Sequence, residues 1–337
     1  MKFSEEKKQA VVRYILEKIT QRDTALTKTV SEAMGINQNT VHSYISELID
    51  QGVVRRTKRG QYELVRQEYE YRLERSKGEL DSDIYAYQNC LAELLRDEPK
   101  NVQEIWAYVF SEMFNNVIDH SGASEAHVRI IRDPVCTSVT LSDNGVGIFR
   151  KIQEFFGFES MDDAIGELFK GKLTTDSVNH SGEGIFFSSR MMDDFLILSD
   201  GKVFSINKYE ESKLSDMVEP TVTGTRIYMS LSNSSNKKAS EIFDRYTDVD
   251  NGFTKTSIPL KNIFDSSPVS RSQAKRVCNR LDRFEEVTLD FDGIDWMGQG
   301  FAHQIFVVFA REHPELRLLP IHMNPAVEKM YRHVLAG

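Results

Sequence analysis

The chain has 337 residues, of which 40% are hydrophobic and 28% charged, with a formal net charge of −9. That length fits two or three domains, each able to bury its own core. The acidic balance excludes a protein that coats nucleic acid over its whole surface, although one basic module on an acidic body remains compatible with it. Cys90, Cys136 and Cys278 are odd in number and far apart, as expected of reduced thiols and not of a disulfide framework. The opening MKFSEEKKQA has no apolar core, and no window approaches ~20 apolar residues. A cytoplasmic protein without a membrane span is expected.

Residues 1–65 read as three helices and a hairpin. KKQAVVRYILEKI sets Val11, Ile15, Leu16 and Ile19 at helical spacing, and TKTVSEAMG makes a second helix stopped by Gly35. NQNTVHSYISELIDQG puts Val41, Tyr44, Ile45, Leu48 and Ile49 on one face, and VVRRTKRGQYELV alternates on both sides of Lys58-Arg59-Gly60. This order is similar to a winged helix-turn-helix. The resemblance implies that Asn37, Gln38, Asn39, Thr40, His42 and Ser43 face the major groove of double-stranded DNA, with Arg55, Arg56, Lys58 and Arg59 on phosphates. These 65 residues hold eleven Lys/Arg against eight Asp/Glu, a net of +3, which leaves −12 for the rest. A protein-binding winged helix with a solvated charged hairpin is the alternative.

Residues 66–99 are dense in charge and are expected to be a connector, helical in two pieces around Gly78 and ended by Glu98-Pro99, with a possible role in pairing two chains. On a helix over 104–120, Trp106, Val109, Phe110, Met113 and Val117 form one stripe, with Glu112, Asn116, Asp119 and His120 beside it. A carboxylate above an amide oxygen suits a hydrated Mg²⁺ next to a polyphosphate. HVRIIRD and TSVTLSDNGVGI read as two paired strands, the second ending in Asp143-Asn144-Gly145-Val146-Gly147, where a carboxylate can accept from an exocyclic amine. Gly182-Glu183-Gly184 then opens a helix, offering N–H groups to phosphate, and a later strand carries Gly224-Thr225.

Over about residues 100–232 this order of motifs resembles the gyrase, chaperone, histidine-kinase and MutL (GHKL) ATPase superfamily. The resemblance implies ATP and Mg²⁺ as cofactors. It assigns Asn116 to the metal and Glu112 to the catalytic acidic position. Asp143 would read adenine within the box completed by Gly145 and Gly147; Gly182 and Gly184 would form the second glycine box, with Thr225 near the adenine. Asp119 and His120, beside these residues, are expected to contribute to cofactor binding as well. An ATP lid is expected over 150–181, with Lys172, Thr174 and Thr175 as phosphate contacts. Residues 60–119 contain no histidine, which argues against autophosphorylating histidine-kinase chemistry.

Residues 257–337 alternate strand and helix, as in an α/β layer. VTLDFDGIDWMGQGFAHQIF resembles STAS domains and the STAS-like domain found behind such ATPases. The turn Asp295-Trp296-Met297-Gly298-Gln299-Gly300 lacks the hydroxyl of phosphorylatable members. Arg271 and Lys275 are expected to face solvent.

The resulting fold expectation is an α+β multidomain protein. A winged helix (1–65) and helical connector (66–99) precede a two-layer GHKL α/β sandwich (100–235), and a STAS-like α/β domain (257–337) follows. The expected function is an ATP-binding transcription regulator whose DNA or partner binding is coupled to Mg-ATP binding and slow hydrolysis, with a protein partner or a second copy of the chain. Two alternatives stand beside it, an anti-sigma-type serine/threonine kinase acting on a STAS-like partner and a non-enzymatic nucleotide sensor.

Overall fold

The computed structural model describes residues 4–173, 182–206, 223–248, 252–264 and 266–336. Helices and several sheets combine in a mixed α+β chain.

Helix α1 (Glu5–Thr20) starts at Ser4, whose hydroxyl accepts from the Lys7 N–H, with Glu5 and Glu6 in the first turn, where the helix dipole favours negative charge. Helix α2 (Leu26–Met34) stops at Gly35, and α3 (Gln38–Asp50) starts at Asn37, whose Oδ1 accepts from the Asn39 N–H at 2.8 Å. Strands β1 (Val54–Lys58) and β2 (Gln61–Leu64) form an antiparallel hairpin, irregular between Arg56 and Lys58. Val11, Ile15, Val30, Val41, Ile45 and Val54 close a core separate from that of the remaining chain.

The expected helical connector is corrected. Residues ahead of Gly78 form strand β3 (Gln67–Glu74), which pairs antiparallel with β4 (Glu125–Arg132) along its whole length. Tyr69, Tyr71 and Leu73 alternate with charged residues, and that period of two wins over the charge density that suggested a helix. The second piece is helical, beginning with α4 (Asp83–Tyr87) and continuing irregularly to Leu95. Leu73, Leu80, Leu91 and Leu95 belong to the main core, so the segment is part of the central unit.

That unit is a six-stranded antiparallel sheet in the order β3-β4-β5-β8-β6-β7, where β5 is Cys136–Asp143, β6 Asp194–Ser199, β7 Lys202–Ser205 and β8 Thr225–Ser232. Val128, Ile130, Val139 and Leu141 meet the apolar stripe of α5 (Lys100–Asn115), in which Trp106, Val109, Phe110 and Met113 are fully buried. Helices α6 (Ile148–Phe156), α7 (Met161–Lys170) and α8 (Gly184–Met191) complete the layer above the sheet.

The C-terminal unit has three parallel strands, Lys255–Pro259, Glu286–Asp290 and Arg317–Ile321, with Glu286–Asp290 in the centre. Parallel neighbours require crossovers, and helical segments at Arg271–Cys278 and from Gln299 supply them. Arg271 and Lys275 are exposed, as expected. One continuous hydrophobic core joins this unit to the central one, from Leu73 to Val334.

Candidate functional site

A cleft of about 220 Å³ opens where α5, α7, α8 and the ends of β5 and β8 converge. Its first wall is the end of α5. There the helix relaxes into a wider π-type turn over Asn116–Ser121 before Gly122 ends it, a deformation often found at functional sites. The Ser121 hydroxyl donates to the Val117 carbonyl at 2.6 Å and accepts from the Ala123 N–H at 2.9 Å, fastening the turn. Glu112, Asn116 and His120 all line the cleft. Asp119 does not; one residue off the stripe, it is exposed.

The opposite wall is the end of β5. Asp143 is 7% exposed, and its Oδ1 accepts from the Gly145 N–H at 2.8 Å. Burial pushes its carboxyl above the ordinary range, partly offset by N–H groups of Gly145 and Thr225 that favour the carboxylate. Gly147 and Thr225 line the cleft beside it, and the Thr225 hydroxyl accepts from the Ile148 N–H at 3.0 Å, sewing β8 to α6. Gly224 has φ +97°, and a Cβ there would stand 2.2 Å from the Asp143 carbonyl oxygen.

The third wall is the start of α8. Gly182 and Gly184 line the cleft, and the N-cap residue Glu183 makes no side-chain cap hydrogen bond to this helix. The α8 backbone approaches Glu112 so closely that a Cβ on Gly184 would lie 2.2 Å from Glu112 Oε2. Unsatisfied N–H groups at such a terminus favour an anion.

Lys172 is not brought to the cleft. It sits at φ +55°, its Nζ donates to the Arg283 carbonyl at 2.8 Å, and it lies over the Phe253 and Phe284 rings; its neighbours Gly171 and Leu173 line the cleft instead. Thr174 and Thr175 lie outside the described residues. Among the described residues, the lysine that lines the cleft is Lys151 on α6, whose Nζ donates to the His120 carbonyl at 2.5 Å; burial pulls its pKa down, while Asp119 supports the charge. Nothing in sequence spacing marks Lys151, because its partner is 31 residues away. The described part of the expected lid holds the rest of α6 and all of α7, with Ile152, Ala164 and Phe169 buried.

Residues 101–235 match the family described as Histidine kinase-, DNA gyrase B-, and HSP90-like ATPase. The chain carries an ATPase domain of the GHKL type. Its sheet reaches beyond the matched stretch, since β3 starts at Gln67. A second match, over residues 273–328, is to the STAS-like domain of unknown function (DUF4325), so the ATPase domain is followed by a STAS-like one. No curated protein matches the chain.

On the N-terminal unit, Asn37, Gln38, Asn39, His42 and Ser43 are exposed and Thr40 is half-buried, along the start of α3. Arg55, Arg56, Lys58 and Arg59 are exposed on the hairpin, with Arg55 paired to Glu63 across the strands and the Arg56 Nε donating to the Lys58 carbonyl. Among the described residues, no helix is long and apolar enough to cross a membrane, and no group of three or more His, Cys, Asp or Glu side chains is arranged to hold a metal.

Proposed function

We propose that the protein is a regulator that binds Mg-ATP in this cleft and links its occupancy to recognition by the N-terminal unit. The observation that carries the reading is the placement of Glu112 and Asn116 on one wall, Asp143 on another and the open start of α8 on a third. The donor set suits the ligand. Asp143 offers a buried acceptor to an exocyclic amine, and the α8 terminus offers N–H groups to phosphate.

A magnesium ion would suit the amide oxygen of Asn116, with waters and substrate phosphates completing its shell, as this metal prefers. Its chemistry would be to neutralise phosphate charge. Asn116 would hold the metal, and Glu112 would orient water for slow hydrolysis. Lys151 adds positive charge at the same opening.

Calorimetry with a non-hydrolysable ATP analogue and Mg²⁺ tests the site. We expect binding in the native chain, and a loss of tenfold or more in Asn116→Ala with an unchanged unfolding temperature. Glu112→Gln should bind normally and lose turnover. Absence of heat in the native chain would remove the reading.

The N-terminal unit is read as a winged helix that binds double-stranded DNA, supported by the polar, largely uncharged start of α3 and the basic hairpin. Coupling to the cleft would be worth about 1–3 kcal/mol. Arg55→Ala with Arg56→Ala should weaken binding to all sequences alike and flatten its salt dependence. An electrophoretic shift with random DNA at two salt concentrations measures both effects, and an unchanged shift would favour a protein partner.

A further inference from the structure

Helix α7 has two working faces. Leu168 lines the cleft, while Glu167 and Lys170, 4% and 2% exposed, are buried against the STAS-like unit. The Lys170 ammonium donates to Glu167 Oε1 at 2.5 Å, to the Arg276 carbonyl at 2.9 Å and to the Asn279 carbonyl at 2.8 Å, which uses all three of its protons. Asn279 Nδ2 donates to Glu167 Oε1 at 3.2 Å, and Arg276 pairs with Asp163 at 2.5 Å. The Lys170 carbonyl accepts from the Thr256 hydroxyl at 2.7 Å.

Helix α8 is held in the same way. Its first residue, Gly184, and then Phe186 line the cleft. One turn beyond Phe186, Arg190 lies 3.3 Å over the Phe186 ring and donates to the Phe186 carbonyl at 3.0 Å and to the Ser257 carbonyl at 2.9 Å. Ser257 belongs to the first strand of the STAS-like unit's sheet. Withdrawing these charges from water is expensive and is recovered only when the partners are well placed. The arrangement therefore fixes where α7 and α8 stand.

We infer that Glu167, Lys170 and Arg190 are positioning residues through which the STAS-like domain sets the α7 and α8 walls of the cleft, so that nucleotide occupancy and docking of that domain are linked. The inference rests on the cleft being the nucleotide site. Linkage is reciprocal: whatever loosens the joint weakens the ligand, and the ligand tightens the joint.

Cys278 supplies a native reporter. It is 8% exposed and stands next to Asn279, at the joint itself. Its rate of alkylation is read by peptide mass spectrometry in the full chain, with and without the ATP analogue and Mg²⁺, while calorimetry records binding separately. The expected result is that saturating nucleotide slows Cys278 alkylation by about fivefold or more. In Lys170→Met the ratio of rates with and without nucleotide should collapse towards one, and nucleotide affinity should fall by about fivefold or more. Using the ratio cancels the direct influence of the lysine charge on the thiol. Nucleotide that binds the native chain yet leaves Cys278 alkylation unchanged would overturn the linkage and spare the nucleotide reading, a result that needs no variant to fold. Unchanged affinity and protection in Lys170→Met would also overturn it. No binding at all would sink both, and the calorimeter tells these cases apart.

Discussion

Asp143 is the residue at which stability and function oppose each other. Its folded pKa is raised by burial, so its contribution to stability is complete below the pKa of the unfolded chain and is lost as pH rises through the folded value. At neutral pH the ionised side chain costs stability, yet as a carboxylate it is the acceptor an adenine amine needs. Asp143→Asn is therefore expected to keep or raise the unfolding temperature at pH 7 while weakening nucleotide binding on the order of 10–100-fold. Affinity of the native protein should fall as pH is lowered towards that raised pKa, which calorimetry between pH 8 and pH 5 would show. The three thiols make a simpler case. Burial pushes Cys90, Cys136 and Cys278 each up to about 12, leaving them protonated in the closed fold at neutral pH, so that alkylation of any of them reports local opening.

At the scale of elements, α8 and α5 meet at a single close approach. Gly184 has ordinary helical backbone, so Gly184→Ala strains no dihedral; the added methyl meets the far end of the Glu112 side chain. That side chain can turn aside at small cost to the fold. We expect a near-native unfolding temperature together with reduced turnover, resembling Glu112→Gln, in a steady-state assay. The same scale shows what the sequence discloses. The α5 stripe, the β4–β5 pair and the ordered Asn116, Asp143 and Gly182-Gly184 motifs were legible because each is a local pattern. Strand β3 was hidden by its own charges: Glu68 pairs with Arg129 and Arg72 with Glu125 on the neighbouring strand, and no local rule reveals partners 53 and 61 residues away. The position of Lys172 is equally beyond a local rule, since its acceptor is the carbonyl of Arg283, 111 residues away. Lys170 takes its role from the carbonyls of Arg276 and Asn279, 106 and 109 residues further along the chain, which no local pattern discloses.

For the whole molecule, the cores predict how it comes apart. The N-terminal unit has its own hydrophobic cluster, while the central and STAS-like units share one. A chain starting at residue 66 should fold and keep the nucleotide affinity of the full protein. A chain starting at residue 100 would lose β3, Leu80, Leu91 and Leu95 from the shared core and should be insoluble or molten by circular dichroism and thermal melting. Equal folding of the two truncations would contradict the placement of β3 in the sheet.

Only Val65 and Arg66 lie between the end of β2 and the start of β3. Two residues reach about 7 Å at full extension, and the Val65 N–H is already tied to the Val53 carbonyl at 3.0 Å. On so short a leash the N-terminal unit cannot search its surroundings by itself; its aim is inherited from the rim of the neighbouring sheet. If two copies of the chain came together, the separation of their reading helices would follow from how the bodies stack, and the distance between paired recognition sites on a target would report on that stacking.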